Sequence, residues 1–373
     1  MLFSAIPGLN DTKKLLADAV RSNHVAHAQL LASPEGGLNL PIALAMATYL
    51  HCSQRGDDAC GTCPACSKSL KYIHPDTHFV FPFNNVKSEK DEDRLKADIL
   101  KTWRTFLTES PFGNLDDWAA AYGGEDKQPI ISREESREII KALSLKPFES
   151  PVKVMIIWLP ELMHPTAANA ILKILEEPSA KTYFLLVTNG VEQLLPTIRS
   201  RTQIINIPLL QDDEIAACLS QSGADAKRAE QITQLAEGNL NAALKLLEQD
   251  DLPDDAQRFA DWMRACFKKN YGTLIGFADE YHALDRMAQR NMLHYSMNMM
   301  REALLARAGA ETLHRAQGNQ LKFIRDFSRV MNTKKIEKAY TLMNDASYHI
   351  ERNGSAKMIF MDLSLQLSTV LNP

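Results

Sequence analysis

At 373 residues, 45% of them hydrophobic, the chain is too long for one ordinary core and apolar enough to fill two or three. A formal net charge of −4 excludes a general electrostatic pull on nucleic acid, so any DNA contact must come from a local patch or from partner proteins. No run approaches the roughly 20 uninterrupted apolar residues of a membrane helix. The start MLFSAIPGLNDTKK lacks the charged-then-apolar layout of a signal peptide, so the expectation is a cytoplasmic protein.

Ile6-Pro7-Gly8 leads into a helix that Asp11 is expected to cap, with Leu15, Leu16, Ala19 and Val20 on one face. A strand over Ala28 to Ala32 follows. The turn Ser33-Pro34-Glu35-Gly36-Gly37-Leu38-Asn39 then opens a helix from about Leu40 to Leu50, with Pro41 in its first turn. Strand, glycine turn and helix form the setting of a phosphate loop, G-x-x-x-x-G-K-[ST]. Laid over Ala32 to Asn39, that pattern is met only by Gly37. Leu38 stands at the lysine position and Asn39 at the hydroxyl position, which removes both the cation for the β/γ-phosphates and the Mg²⁺ ligand. The residues describe a glycine-rich turn better than a working ATP site.

Six cysteines in a chain of this length are not a disulfide scaffold, and their spacing matters more than their number. Cys52, Cys60, Cys63 and Cys66 form a C-x7-C-x2-C-x2-C arrangement with Gly61 and Pro64 in the turn. Four thiolates at such spacing can close a tetrahedral Zn²⁺ site with no open position, which makes the metal structural. The competing reading, a redox dithiol, would want one reactive C-x-x-C instead of four clustered cysteines. Cys218 and Cys266 stand alone in helical patterns and read as buried apolar residues.

His74-Pro75-Asp76 marks a turn before a strand over Thr77 to Phe81, and His74 and His78 read as turn and sheet residues. Residues 84 to 128 read as an insertion: a charged helix from about Lys90 to Leu107, then a stretch with Trp118 and Gly123-Gly124 whose purpose is not legible. Ser132-Arg133-Glu134-Glu135 opens a predicted helix to about Leu145, with Ile139, Ile140 and Leu143 inward.

The organising stretch is Val152 to Ile207. Apolar runs at Val154 to Trp158, Tyr183 to Val187 and Gln203 to Ile207 predict strands of a parallel sheet. Between the first two lies a helix capped by Thr166 and stopped by Pro178. Nucleotide hydrolysis needs an acidic pair at the end of the first of these strands, and Trp158 and Leu159 stand there instead. Glu161 reads as a surface or helix-capping residue. Beyond Pro208 the period is helical: Asp212 to Leu219, Lys227 to Ala236 and Asn239 to Leu247, then a linker at residues 250 to 255. Asp261 to Leu371 continues as helices, with Leu293, Met297, Met300 and Leu304 as core.

The helix Asn169-Ala170-Ile171-Leu172-Lys173-Ile174-Leu175-Glu176-Glu177-Pro178 resembles one family. So do the strand ending Thr188-Asn189, the turn Ser200-Arg201-Thr202, the cysteine module and the phosphate loop without its lysine. That family is the delta-prime clamp-loader subunits of bacterial DNA polymerase III, within the AAA+ class. The resemblance covers roughly residues 10 to 245. It implies an AAA+ α/β core over residues 1–208 (parallel sheet, helices on both faces, four-cysteine zinc module at about 52–66, insertion at about 84–128), a helical lid over 209–250 and an all-α collar over 251–373. It implies that Arg201, with Ser200 beside it, acts as an arginine finger in trans, sensing the γ-phosphate in a neighbouring subunit. Thr202 stands where the family has cysteine, and Arg199 is a nearby competitor on spacing alone. Asn241 stands where active relatives carry a sensor arginine. The implied protein is not an enzyme by itself: it joins gamma/tau and delta subunits and helps place the sliding clamp on primer-template DNA, with no membrane contact. An active gamma/tau-type ATPase and a zinc-stabilised interaction module are the alternatives.

Overall fold

Apolar runs that alternate with turns and helices can bury both faces only in a parallel sheet with crossover helices, and the five predicted strands form one. In the computed structural model, residues 1–84, 92–124, 129–133, 146–179, 181–249, 255–284, 286–310, 318–351 and 354–372 are described. The strands are β1 (Ala28–Ala32), β2 (Thr77–Val80), β3 (Lys153–Trp158), β4 (Thr182–Thr188) and β5 (Gln203–Asn206), in the order β2-β3-β4-β1-β5 and parallel throughout. Every residue of β1 and β3 is buried, while the edge strand β5 is largely exposed. This is the burial that their order in the sheet requires.

The helices of this part are α1 (Asn10–Arg21), α2 (Asn39–His51), α3 (Pro64–Ser69), α4 (Glu92–Glu109), α5 (Leu115–Tyr122), α6 (Pro165–Glu176) and α7 (Pro196–Arg199). Ala167, Ala168, Ile171 and Leu175 of α6 pack on Leu30, Met155, Ile157, Phe184 and Leu186 from one sheet face. Each fully buried Leu or Ile there contributes about 1.5–3 kcal/mol. Ile156 has the opposite parity and lines a small cavity together with Leu44, Ala47 and Thr48 of α2, so helices cover both faces. All thirteen residues of α2 are buried.

Two caps differ from expectation. Leu9, not Asp11, precedes α1, in the left-handed region and without a side-chain cap. Its N–H donates instead to Glu214 Oε1 at 3.0 Å, and a Cβ on Gly8, at φ +56°, would lie 2.4 Å from that carboxylate. Likewise α6 is capped by His164, whose ring accepts from Thr166 N–H, with Pro165 in the first turn. Thr166 is inside the helix, where Pro165 has already fixed the backbone for entry.

The insertion is more structured than its composition suggested. Asn114 and Asp117 form a capping box at the start of α5, and Gly123 ends the helix at φ +72°. Trp118 is fully buried, donates from Nε1 to Pro82 O at 2.7 Å, and meets Trp103 edge-on at 5.0 Å. Trp103 stacks on Phe81 at 4.2 Å and lies 5.1 Å from Trp158. The insertion therefore docks on the ends of β2 and β3 through aromatic rings, worth about 0.5–1.5 kcal/mol per pair beyond their buried area. The predicted helix over 132 to 145 falls, from residue 134 onward, outside the described residues, as does the linker at 250 to 254.

The chain separates into two compact units, Met1–Asp250 and Asp251–Pro373. The first also holds α8 (Asp212–Gln221), α9 (Ala226–Ala236) and α10 (Leu240–Glu248). The second is helical: α11 (Asp255–Phe267), α12 (Tyr271–Ala283), α13 (Arg286–Ala308), α14 (Gly318–Val330), α15 (Thr333–Glu351) and α16 (Ala356–Leu371). Leu293, Met297 and Met300 are in its core, with Leu304 packed against it, and Cys266 is buried there as read. Cys218, in α8, is only half-buried. Among the described residues no helix is long and apolar enough to cross a membrane.

Candidate functional site

The turn after α7 lies at the N-terminal edge of the sheet, just before β5, whereas the glycine turn after β1 and the segments that follow β3 and β4 meet at the C-terminal ends of the strands in the first unit. In open α/β sheets this is the edge where ligands bind. An open crevice of about 720 Å³ lies there, lined by Ser33, Pro34, Asn189, Val191, Asn206 and Pro208 among others.

The phosphate-loop positions are filled by the protein itself. Gly36 adopts φ +85°, and a Cβ there would meet the Asn239 side chain at 2.2 Å; one on Gly37 would lie 1.7 Å from Ser33 Oγ. Both glycines are thus required by close approach. Leu38, at the lysine position, is buried at 2% exposure. Asn39, at the Mg²⁺-ligand position, is also buried and donates from Nδ2 to Thr188 O at 2.9 Å and to Asn189 Oδ1 at 3.1 Å. The side chain that would face a metal instead bolts α2 to the end of β4.

The second half of the site is equally altered. Trp158 and Leu159 are each 3% exposed, and Trp158 belongs to the aromatic cluster under the insertion. Glu161 is not a surface or capping residue, which corrects the sequence reading. Its carboxylate accepts from Thr188 Oγ1 at 2.8 Å and from Asn189 N–H at 2.9 Å, and burial pushes its pKa above the usual carboxylate range against those bonds. It ties the turn after β3 to the end of β4. Asn241, which the resemblance sets at the sensor position, donates to Asp117 Oδ2 at 2.7 Å, and Lys245 pairs with Asp117 Oδ1. These contacts join the insertion to α10, and neither partner signalled the other in the sequence.

Arg201 follows α7 and sits at the C-terminal end of α6. Its Nε donates to Glu176 Oε1 at 2.6 Å, and its Nη1 donates to Thr197 O at 2.9 Å and to Ser200 Oγ at 3.3 Å. Ser200 thus touches Arg201 directly. Arg199 points to a different acid, pairing with Glu192 at 2.7 Å.

Cys52, Cys60, Cys63 and Cys66 form, among the described residues, the one group of metal-ligating side chains close enough to hold an ion, with their sulfurs within 4.8 Å of one another. A tetrahedral Zn–S shell places sulfurs about 3.8 Å apart, and Cys60 Sγ and Cys66 Sγ lie at 3.9 Å. The backbone supports charge on the sulfurs: N–H groups of Cys60 and Gln54 point to Cys52 Sγ, that of Cys63 to Cys60 Sγ, and that of Cys66 to Cys63 Sγ, at 3.3–3.4 Å. Those bonds lower the Cys60 pKa; at Cys63 burial opposes them and the value still falls to about 6. Burial raises Cys52 and Cys66, so one divalent cation would relieve the crowding of four sulfurs. The donor set fits a metal that favours thiolate, and such an ion would cross-link the end of α2 to α3. His74 stands apart as a structural residue, stacked on His51 at 4.0 Å.

A parallel sheet in this order, with a glycine turn between the first strand and its helix and Asn239 at the start of α10 packed on that turn, has the layout of an AAA+ type α/β core. The family described as DNA polymerase III, delta subunit matches residues 8–211, and the chain belongs to it. Among its relatives, DNA polymerase III subunit delta' of Haemophilus influenzae is 28% identical over 60% of this chain and 55% of its own length. The subunit delta' of Pseudomonas aeruginosa is 31% identical over 48% of this chain and 42% of its own. A gamma/tau subunit of Mycobacterium tuberculosis is 27% identical over 59% of this chain and 31% of its own. The chain spans about half the length of the delta' relatives it matches.

Proposed function

We propose that the chain is a non-catalytic delta-prime subunit of a DNA polymerase III clamp loader that assembles with gamma/tau and delta subunits and supplies Arg201, supported by Ser200, in trans to a neighbour's ATP site. The observation that carries this reading is the contrast between two sites at opposite edges of the sheet. The chain's own phosphate loop has Leu38 buried and Asn39 bonded to β4, while the guanidinium of Arg201 remains about one-third exposed. In this role the chain hydrolyses no ATP, works in the cytoplasm away from membranes, and meets the sliding clamp and primer-template DNA through the complex. Its organisation follows as a core over 1–208, a lid over 209–250 and a helical collar over 251–373, with structural Zn²⁺ on Cys52, Cys60, Cys63 and Cys66.

The test is reconstitution with gamma/tau and delta from the same source, comparing DNA- and clamp-stimulated ATP hydrolysis for wild type and Arg201→Ala. Normal assembly with turnover at the adjoining site reduced about 10³-fold or more is expected. An unchanged rate in an intact complex would make Arg201 structural. Failure of the wild type to assemble, or ATP turnover by the isolated chain, would replace the proposal.

A further inference from the structure

Glu176 is the last residue of α6, where the unsatisfied carbonyls already carry partial negative charge and a carboxylate is electrostatically misplaced. Its partner is Arg201. The Nε donates to Glu176 Oε1 at 2.6 Å and Nη2 contacts the same oxygen, while Nη1 reaches Thr197 O and Ser200 Oγ. A guanidinium has five N–H donors, so these contacts leave only one N–H, on Nη2, for anything else. Tight recognition of a phosphate by arginine uses two parallel N–H groups. Arg201 cannot offer two without giving up part of this set, and the carboxylate is the partner that a phosphate can replace charge for charge. Arg199, held by Glu192, takes no part in that exchange.

Resting on the reading of Arg201 as a finger, we propose that Glu176 is its positioning residue. It holds the guanidinium in one orientation while the neighbour's site is empty and competes with the nucleotide phosphate for it when ATP arrives. The pair is half-exposed, and exposed pairs of this kind shift equilibria by about two- to fivefold.

The test uses the full chain in the reconstituted complex and follows ATP hydrolysis against ATP concentration for wild type, Glu176→Gln, Arg201→Ala and the double variant, with Glu177→Gln as control. The expected result is a KM for ATP lowered about two- to fivefold by Glu176→Gln with kcat unchanged, because the pair is released on binding, before chemistry. Glu177→Gln matches wild type, and the double variant matches Arg201→Ala. An unchanged or raised KM in Glu176→Gln, alongside a rate loss in Arg201→Ala, would overturn this proposal and leave the finger standing. If Arg201→Ala changes nothing, the finger fails and Glu176 with it. Loss of assembly in Glu176→Gln would make that residue an interface contact and overturn the proposal too.

Discussion

Replacing Asp117 by alanine removes the contacts that fasten the insertion to α10. The carboxylate completes the capping box at α5 by accepting from Asn114 N–H at 3.0 Å, takes the Asn241 amide at 2.7 Å, and pairs with Lys245. A lost cap costs about 1 kcal/mol and a lost hydrogen bond to a charged acceptor about 1.5–3 kcal/mol. The ion pair adds about 0.5 kcal/mol, since its side chains are 28% and 20% exposed. The terms share one carboxylate and are not additive, so about 2 kcal/mol of local stability at each end is the expected loss. Native-state hydrogen exchange reads it: amides of Leu115–Tyr122 and of Leu240–Glu248 should exchange about 30-fold faster together. Asn114→Ala, which removes the cap but spares Asn241 and Lys245, should speed only the first segment. If Asp117→Ala leaves the second segment at wild-type rates, Asp117 is a local cap and does not couple the two elements.

Two other predictions concern the same unit. Asp76 is buried, and although burial alone would raise its carboxyl pKa, backbone N–H groups of Phe148, Ser150 and Glu149 hold it below the usual range. A depressed carboxyl contributes stability that is present above its unfolded pKa, about 3.9, and lost as pH falls through the folded value. Asp76→Asn should therefore cost about 2 kcal/mol at pH 7 and flatten the acid limb of the stability curve, and a denaturation series from pH 7 to 2.5 in which both proteins lose stability in parallel would refute that assignment. For the cysteine cluster, elemental analysis should give about one Zn²⁺ per chain, lost in Cys63→Ser, and a chelator should lower the thermal midpoint until Zn²⁺, not Mg²⁺, is restored; an unchanged midpoint would make the metal dispensable.

Much of the fold was legible because the signals were local. The apolar runs of β1, β3 and β4 are continuous since both faces of a central parallel strand are buried, and the residues at 154–158 and 183–187 showed that without any partner. The cysteine spacing was equally local, because a metal site built within one short stretch must write its geometry into the separations between ligands. The loss of lysine and hydroxyl from the phosphate loop could be counted along the chain. The class of protein, the loop without its lysine and hydroxyl, and the candidate ligands were thus determined by the sequence itself.

What the tertiary structure decided were pairings over long separations, which carry no periodicity. Nothing near residue 39 announces Thr188, and nothing near 117 announces 241 and 245. The cap of α1 was misassigned to Asp11 because the group that satisfies Leu9 N–H is Glu214, from another helix. Trp158 read simply as a missing acid. Only the packed structure shows why an aromatic belongs there, since Trp103 arrives from the predicted charged helix of the insertion and Trp118 from the stretch after it, whose composition looked like loop. Likewise the choice between Arg199 and Arg201, open on spacing, acquires physical content from their different carboxylates. Local chemistry determines which residues can act, whereas the environment each one meets is set by chain segments that only folding brings together.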